Sequence, residues 1–133
     1  MDMRSDESAG MMVTADRRPC IFLVEDDAAL LDALSFALET EGYATRSFPD
    51  QGSVLSAPDL DRAACFIIDF LLTPLDGLDL LAELRRRGAV APAVLITTEP
   101  DDRCRRRAKR MGTPIVEKPL ITDALSRKIR SLL

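Results

Sequence analysis

Short, largely apolar runs bounded by polar or turn-forming residues recur along this chain. A run of this kind is typical of a strand that is buried on both faces of a sheet. The second run is an exception, because Thr45, Arg46 and Ser47 make it polar, which suits a strand at a sheet edge. The five predicted strands are 20–24, 44–48, 63–68, 93–96 and 114–117.

Segments with an apolar residue at every third or fourth position separate these runs, and this spacing predicts amphipathic helices. Gly42, Gly88 and Gly112 stand where three of the patterns end, as expected of residues that end helices in the left-handed conformation. Thr122 is the predicted N-cap of the last helix, and residues 58–62 are predicted to form a loop. The predicted helices are 28–41, 49–56, 78–87, 99–111 and a final helix from 122.

Strands that alternate with helices predict an α/β domain, with a parallel sheet, helices on both faces and right-handed crossovers. The chain has 133 residues, which suits one domain. Residues 1–19 are polar and aperiodic, and we interpret them as a flexible tail. The predicted domain therefore covers residues 20–133.

Composition argues against several classes of function. The chain has no histidine, and its three cysteines lack metal-ligand spacing, which disfavours a zinc site or a nucleophile paired with histidine. No apolar run approaches the ~20 residues of a membrane span, and the N-terminus lacks the apolar core of a signal peptide. The net charge of −4 gives no general case for nucleic-acid binding. We therefore expect a cytoplasmic protein that binds neither membrane nor nucleic acid.

Polar side chains stand where the apolar strands end. They are Glu25, Asp26, Asp69, Thr97 and Lys118. The carboxyl ends of parallel strands meet at one edge of the sheet, where open α/β sheets bind their ligands. Carboxylates that lie close together repel unless a cation joins them, and hard oxygen ligands suit Mg²⁺. The hydroxyl and the ammonium suit negatively charged oxygens, such as those of a phosphoryl group on Asp69, since aspartate can accept one covalently.

The chain resembles the receiver domains of response regulators in bacterial two-component signalling, the CheY-like family. Five short motifs carry this resemblance, and they follow one another with the family's order and spacing across residues 20–133. They are Leu-Val-Glu-Asp-Asp at 23–27, Ile-Asp at 68–69, Leu-Asp-Gly-Leu-Asp-Leu-Leu at 75–81, Leu-Ile-Thr at 95–97 and Glu-Lys-Pro at 117–119. The resemblance implies a flavodoxin-like, doubly wound, five-stranded parallel sheet of order 2-1-3-4-5 with five helices.

The resemblance also implies a function. Asp69 would accept a phosphoryl group from a phosphohistidine on a sensor histidine kinase or a phosphotransfer protein, since this chain has no histidine. Thr97 and Lys118 would hold the phosphoryl oxygens, and Lys118–Pro119 would be a cis peptide. The implied Mg²⁺ ligands are Glu25, Asp26, Asp69 and the backbone carbonyl of Leu71. The domain would not be an enzyme beyond slow self-dephosphorylation, and its output would be contact with an unknown downstream protein.

Other functions stay open because the chain departs from the family pattern. Thr97 and Ile115 occupy the two switch positions, but the family usually has an aromatic residue where Ile115 stands. The stretch from 112 to 118 is also one residue shorter than usual, so a degenerate receiver that acts as a phosphorylation-independent interaction module is one alternative. A phosphohydrolase of the haloacid-dehalogenase type is another, although that type needs a second aspartate where Leu71 stands. The chain could also be the receiver fragment of a longer protein.

Residues 103–110 form a strongly basic stretch. The apolar stripe of the predicted helix is Cys104, Ala108 and Met111, so we expect the basic side chains to face water. They form either a solvated face or a docking surface for an acidic partner. The six basic residues are Arg103, Arg105, Arg106, Arg107, Lys109 and Arg110.

Overall fold

The structure is a computed structural model that describes residues 16–120 and 123–133. Its strands are β1 (Cys20–Val24), β2 (Ala44–Phe48), β3 (Cys65–Asp69), β4 (Ala93–Thr97) and β5 (Ile115–Glu117). They form one parallel sheet in the order β2-β1-β3-β4-β5. The flavodoxin-like order 2-1-3-4-5 is therefore confirmed, and β2 lies at an edge as its polar sequence predicts.

Five helices connect or follow the strands. They are α1 (Ala28–Thr40), α2 (Gln51–Leu55), α3 (Gly77–Arg86), α4 (Asp102–Arg110) and α5 (Ala124–Leu132). An aspartate caps each of the first four helices by accepting a hydrogen bond from the backbone N–H three residues later. Gly42 follows α1 with a φ of 102°, the left-handed conformation predicted for it. None of the helices that the structure describes is long and apolar enough to cross a membrane.

The core lies on both faces of the sheet because successive strand residues point to opposite sides. Ile21 and Leu23 of β1 belong to the cluster that α1 and α5 cover, whereas Phe22 and Val24 belong to the cluster under α2 and α3. A smaller cluster packs α4 against Leu95 of β4. Both faces of the central strands are buried, and this is why their sequences are unbroken apolar runs.

Some predicted boundaries are wrong. Residues 58–62 were predicted as a loop, but Leu60–Arg62 form a turn of 3₁₀ helix. The predicted third strand starts two residues early, and Thr97 is the last residue of β4 rather than the residue that follows it. The helix predicted from 99 begins at Asp102, because Asp101 caps it and Glu99 has a φ of 49°. Thr122 and residues 1–15 of the predicted tail lie outside the described residues.

Candidate functional site

Three carboxylates meet at the carboxyl ends of β1 and β3. Glu25, Asp26 and Asp69 each place a carboxylate oxygen within 4.8 Å of the others. This proximity follows from the sheet, because β1 and β3 are neighbours and Val24 pairs with Ile68. Glu25 and Asp69 are only 1% and 2% exposed, whereas Asp26 is exposed. The cluster is therefore buried on the strand side and reaches water through Asp26.

Lys118 brings a positive charge to this cluster. Its Nζ lies 3.2 Å from Glu25 Oε1 and 3.2 Å from Asp69 Oδ1. Burial alone would lower the pKa of Lys118, but the charge of Asp69 and the hydrogen bond and charge of Glu25 together raise that pKa above its ordinary value. The ammonium is therefore held in its charged form. The Lys118–Pro119 peptide is cis, as the resemblance implies.

The carboxyl group of Glu25 has a raised pKa. Burial raises its pKa from 4.5 to about 7, and the neighbouring charge of Asp69 acts in the same direction. The backbone N–H of Asp27, which donates to Glu25 Oε2 at 3.1 Å, and the ammonium of Lys118 offset only part of this rise. Glu25 Oε1 is buried without a hydrogen bond of good geometry to any described residue, and the ammonium of Lys118 lies 3.2 Å from it. Such an oxygen, next to two more carboxylates, fits a hard divalent cation such as Mg²⁺.

The loop after Asp69 is folded tightly against the site. Leu71 N donates to Asp69 Oδ1 at 3.4 Å, and Phe70 O accepts hydrogen bonds from Leu72 N and Gly77 N at 2.9 and 2.8 Å. A β-carbon at Gly77 would lie 2.9 Å from Phe70 Cα and still closer to Asp69 O, so the backbone can approach only because position 77 is glycine. In the sequence, Asp76 and Gly77 belong to the 75–81 motif that carries the family resemblance.

The two predicted switch residues lie at different levels of the sheet, since Thr97 ends β4 and Ile115 is the first residue of β5. Thr97 is 1% exposed, and the bond from its hydroxyl to Thr98 O is long, at 3.5 Å. Ile115 begins β5, where it pairs with Leu95 and packs on the cluster beneath α4. Leu71 is 63% exposed, so its side chain points to solvent although its backbone belongs to the loop beside Asp69. No hydrogen bond among the described residues joins Thr97 to the three carboxylates.

A protein-family model described as the response regulator receiver domain matches residues 21–130. This chain belongs to that family. One relative is the transcriptional regulatory protein FixJ of Bradyrhizobium diazoefficiens, which is 30% identical over 112 residues, or 84% of this chain and 55% of FixJ. The receiver chain thus spans about half the length of this curated relative.

Solved structures show the same receiver fold. The chemotaxis protein CheY4 of Vibrio cholerae superposes with a TM-score of 0.80 at 20% identity, over 87% of this chain and 99% of CheY4. The response regulator TrrA of Thermotoga maritima, in complex with Mg²⁺-BeF, gives a TM-score of 0.74 at 22% identity, over 86% of this chain and 99% of TrrA. At these identities the comparison concerns the fold alone.

One expectation about the receiver's basic helix is wrong. Arg107 does not face water, since its side chain is 16% exposed and forms ion pairs with Asp76 and Asp79 at the start of α3. The other five basic residues of α4 are exposed, and Cys104 and Ala108 are buried as predicted. A helical pattern carries no signal for a contact between residues 31 positions apart. Sequence reasoning also missed Gln51, a buried polar residue of α2.

Proposed function

We propose that this receiver domain accepts a phosphoryl group on Asp69 with the help of Mg²⁺. The observation that carries the proposal is the ammonium of Lys118, placed 3.2 Å from both buried acids, Glu25 and Asp69. Buried charged groups are costly unless they are paired, so a site that keeps three acids and a lysine together implies a ligand that needs them. Asp69 ends the central strand and lies against Lys118, which supports its choice as the acceptor.

Each residue of the site has a role in this proposal. A carboxylate oxygen of Asp69 attacks the phosphorus, and its new bond forms as the bond from phosphorus to the nitrogen of the donor's phosphohistidine breaks. Lys118 and the hydroxyl of Thr97 stabilise the negative oxygens of the transferred group. Glu25, Asp26, Asp69 and the Leu71 carbonyl would hold Mg²⁺, and the bound cation would supply positive charge that offsets the charge of the phosphoryl oxygens. TrrA, which is bound to Mg²⁺-BeF, supports the choice of this cation for the fold.

The phosphoryl donor and the downstream action of the domain are inferred from chemical considerations. The chain has no histidine, so the phosphoryl group must come from another molecule, which we propose is a sensor histidine kinase or a phosphotransfer protein. We propose that the phosphorylated domain acts by contact with a downstream protein, in the cytoplasm, and catalyses no reaction beyond slow loss of its own phosphoryl group. Relatives such as FixJ are transcriptional regulators, and this chain matches about half of FixJ. The proposed contact with a downstream protein therefore concerns the receiver domain and not the rest of such a regulator.

Intact mass measurement after incubation with acetyl phosphate and Mg²⁺ tests the proposal. We expect a gain of one phosphoryl group in the wild-type chain, no gain in Asp69→Asn, and an unchanged gain in the control Asp61→Asn, which alters an exposed acid of the 3₁₀ turn. Stoichiometric labelling of Asp69→Asn would contradict the assignment of the acceptor. A folded wild-type chain that takes no label would instead support the degenerate interaction module.

A further inference from the structure

Gln51 makes an unusual contact for a residue at the start of a helix. Its side chain is 5% exposed and pairs with both backbone groups of Leu75. Gln51 Nε2 donates to Leu75 O, and Leu75 N donates to Gln51 Oε1 at 3.2 Å. Glutamine is seldom buried without partners, and here a single amide satisfies the donor and the acceptor of a residue 24 positions away. The amide of Gln51 thus makes the same pair of hydrogen bonds to Leu75 that a neighbouring strand would make through its backbone.

Leu75 belongs to the loop between β3 and α3, residues 70–76, which carries the Leu71 carbonyl proposed for Mg²⁺. Phe70 O fixes the start of the loop by accepting from Leu72 N and Gly77 N. Gln51 holds the far part of the same loop, just before Asp76 caps α3. The loop is therefore held at both ends, and the Leu71 carbonyl lies between the two attachments.

The helix that carries Gln51, α2, is itself held in place. Asp50 caps α2 by accepting from Ser53 N at 2.8 Å, and Val54 is completely buried in the cluster beneath α2 and α3. Gln51 therefore extends from a short helix that is anchored to the core. A side chain on such a base can hold a loop more firmly than a residue of the loop itself can.

We propose that Gln51 is a positioning residue for the phosphoryl site: by holding Leu75, it keeps the β3–α3 loop in the form that presents the Leu71 carbonyl to the metal. This inference rests on the proposed function and adds a residue from α2 to it. Gln51 touches neither the carboxylate cluster nor Lys118 in the described contacts, so it acts through the loop. Removal of groups that orient metal ligands without contacting the metal typically weakens metal binding by about 10–100-fold.

The test is Gln51→Leu, which keeps a side chain of similar size but replaces the amide with an apolar group and so removes both hydrogen bonds. Calorimetric titration should show Mg²⁺ binding weakened by about 10-fold or more. Hydrogen exchange of the metal-free protein should show faster exchange of the backbone amides of residues 71–77. Gln51→Glu provides a second variant, since it keeps an acceptor for Leu75 N but sets an oxygen against Leu75 O, and it should also bind Mg²⁺ more weakly than the wild type.

Val54→Ala is the matched control. It removes buried contacts from the same short helix without touching Leu75, so it should destabilise the domain and leave Mg²⁺ affinity unchanged. Wild-type affinity in folded Gln51→Leu would overturn the inference, as would an equal loss of affinity in Val54→Ala, which would show that α2 acts only through stability. A wild-type chain that binds no Mg²⁺ would instead overturn the proposed function, and the inference with it.

Discussion

Arg107 of α4 donates a hydrogen bond over 2.8 Å to Asp76, the residue that caps α3. The same guanidinium lies 2.8 Å from Asp79, the third residue of that helix. Burial alone would raise the pKa of Asp76, but the hydrogen bond from Arg107 and those from the backbone of α3 hold it below its ordinary value. The contact ties α4 to the start of α3, directly after the loop that follows Asp69.

Arg107→Ala should lower the free energy of unfolding. Arg107 is 16% exposed and Asp76 27%, so the pair is better shielded from water than an ordinary surface ion pair. Hydrogen bonds to charged groups of this kind are worth about 1.5–3 kcal/mol, and we expect a loss in that range by urea denaturation. Arg106→Ala is the control, because Arg106 is exposed and the described residues offer it no ion pair. Equal losses in the two variants would show that the contact is not stabilising.

Gly77→Ala should disturb the site itself. The added β-carbon would lie 2.9 Å from Phe70 Cα and closer to Asp69 O, so the backbone that carries the acceptor must move. Overpacking of this kind typically costs about 1–3 kcal/mol of stability. We expect that loss, measured by urea denaturation, together with slower labelling by acetyl phosphate. Gly52→Ala in α2, whose added carbon meets only Asp50 Oδ1 at 3.6 Å, should be nearly neutral, and a neutral Gly77→Ala would contradict the close approach.

Asp26 and Asp27 are adjacent acids with separate roles. Asp26 belongs to the carboxylate cluster, whereas Asp27 caps α1 by accepting from Leu30 N at 3.2 Å. In a Mg²⁺ titration, Asp26→Ala should bind the metal more weakly than Asp27→Ala. Asp27→Ala should instead lose about 0.5–2 kcal/mol of stability, the usual cost of removing a cap. Identical metal affinities in the two variants would remove Asp26 from the ligand set.

Glu25 should make the stability of the metal-free domain depend on pH. Its pKa is about 7 in the folded chain against an ordinary value of 4.5, so the folded state holds the proton more tightly than the unfolded state does. The contribution of Glu25 to the free energy of unfolding is therefore fully present below pH 4.5 and is lost as pH rises through about 7. In chelator, Glu25→Gln should gain stability over the wild type between about pH 5 and about pH 8. Parallel pH dependences of the two unfolding free energies would contradict this assignment.

The sequence was sufficient for the sheet and for the acidic cluster. Residues 20–24 are apolar on both faces and run directly into Glu25, so their place in a parallel sheet also places the carboxylate at the sheet's edge. The contacts of Gln51 and Arg107 could not be predicted from the sequence. Their partners Leu75 and Asp76 are 24 and 31 residues away and follow no local period. Glutamine and arginine are mostly exposed residue types, and the partners of these two side chains follow from the packing of α2 and α4 against residues 75–79.

The balance of charge in the acidic cluster affects how fast the proposed phosphodonor would reach the site. Lys118 is the cation paired with Glu25 and Asp69 in the described part of the chain, and the third carboxylate, Asp26, adds negative charge on the solvent side. An anionic donor that meets the domain without metal therefore approaches a surface of its own sign, and this repulsion slows their encounter. A divalent cation neutralises this excess of negative charge, so we expect the donor to associate faster once the cation is bound. Added salt screens the repulsion and hastens the donor's encounter with the metal-free domain, whereas the cation-bound domain has no such repulsion left to screen.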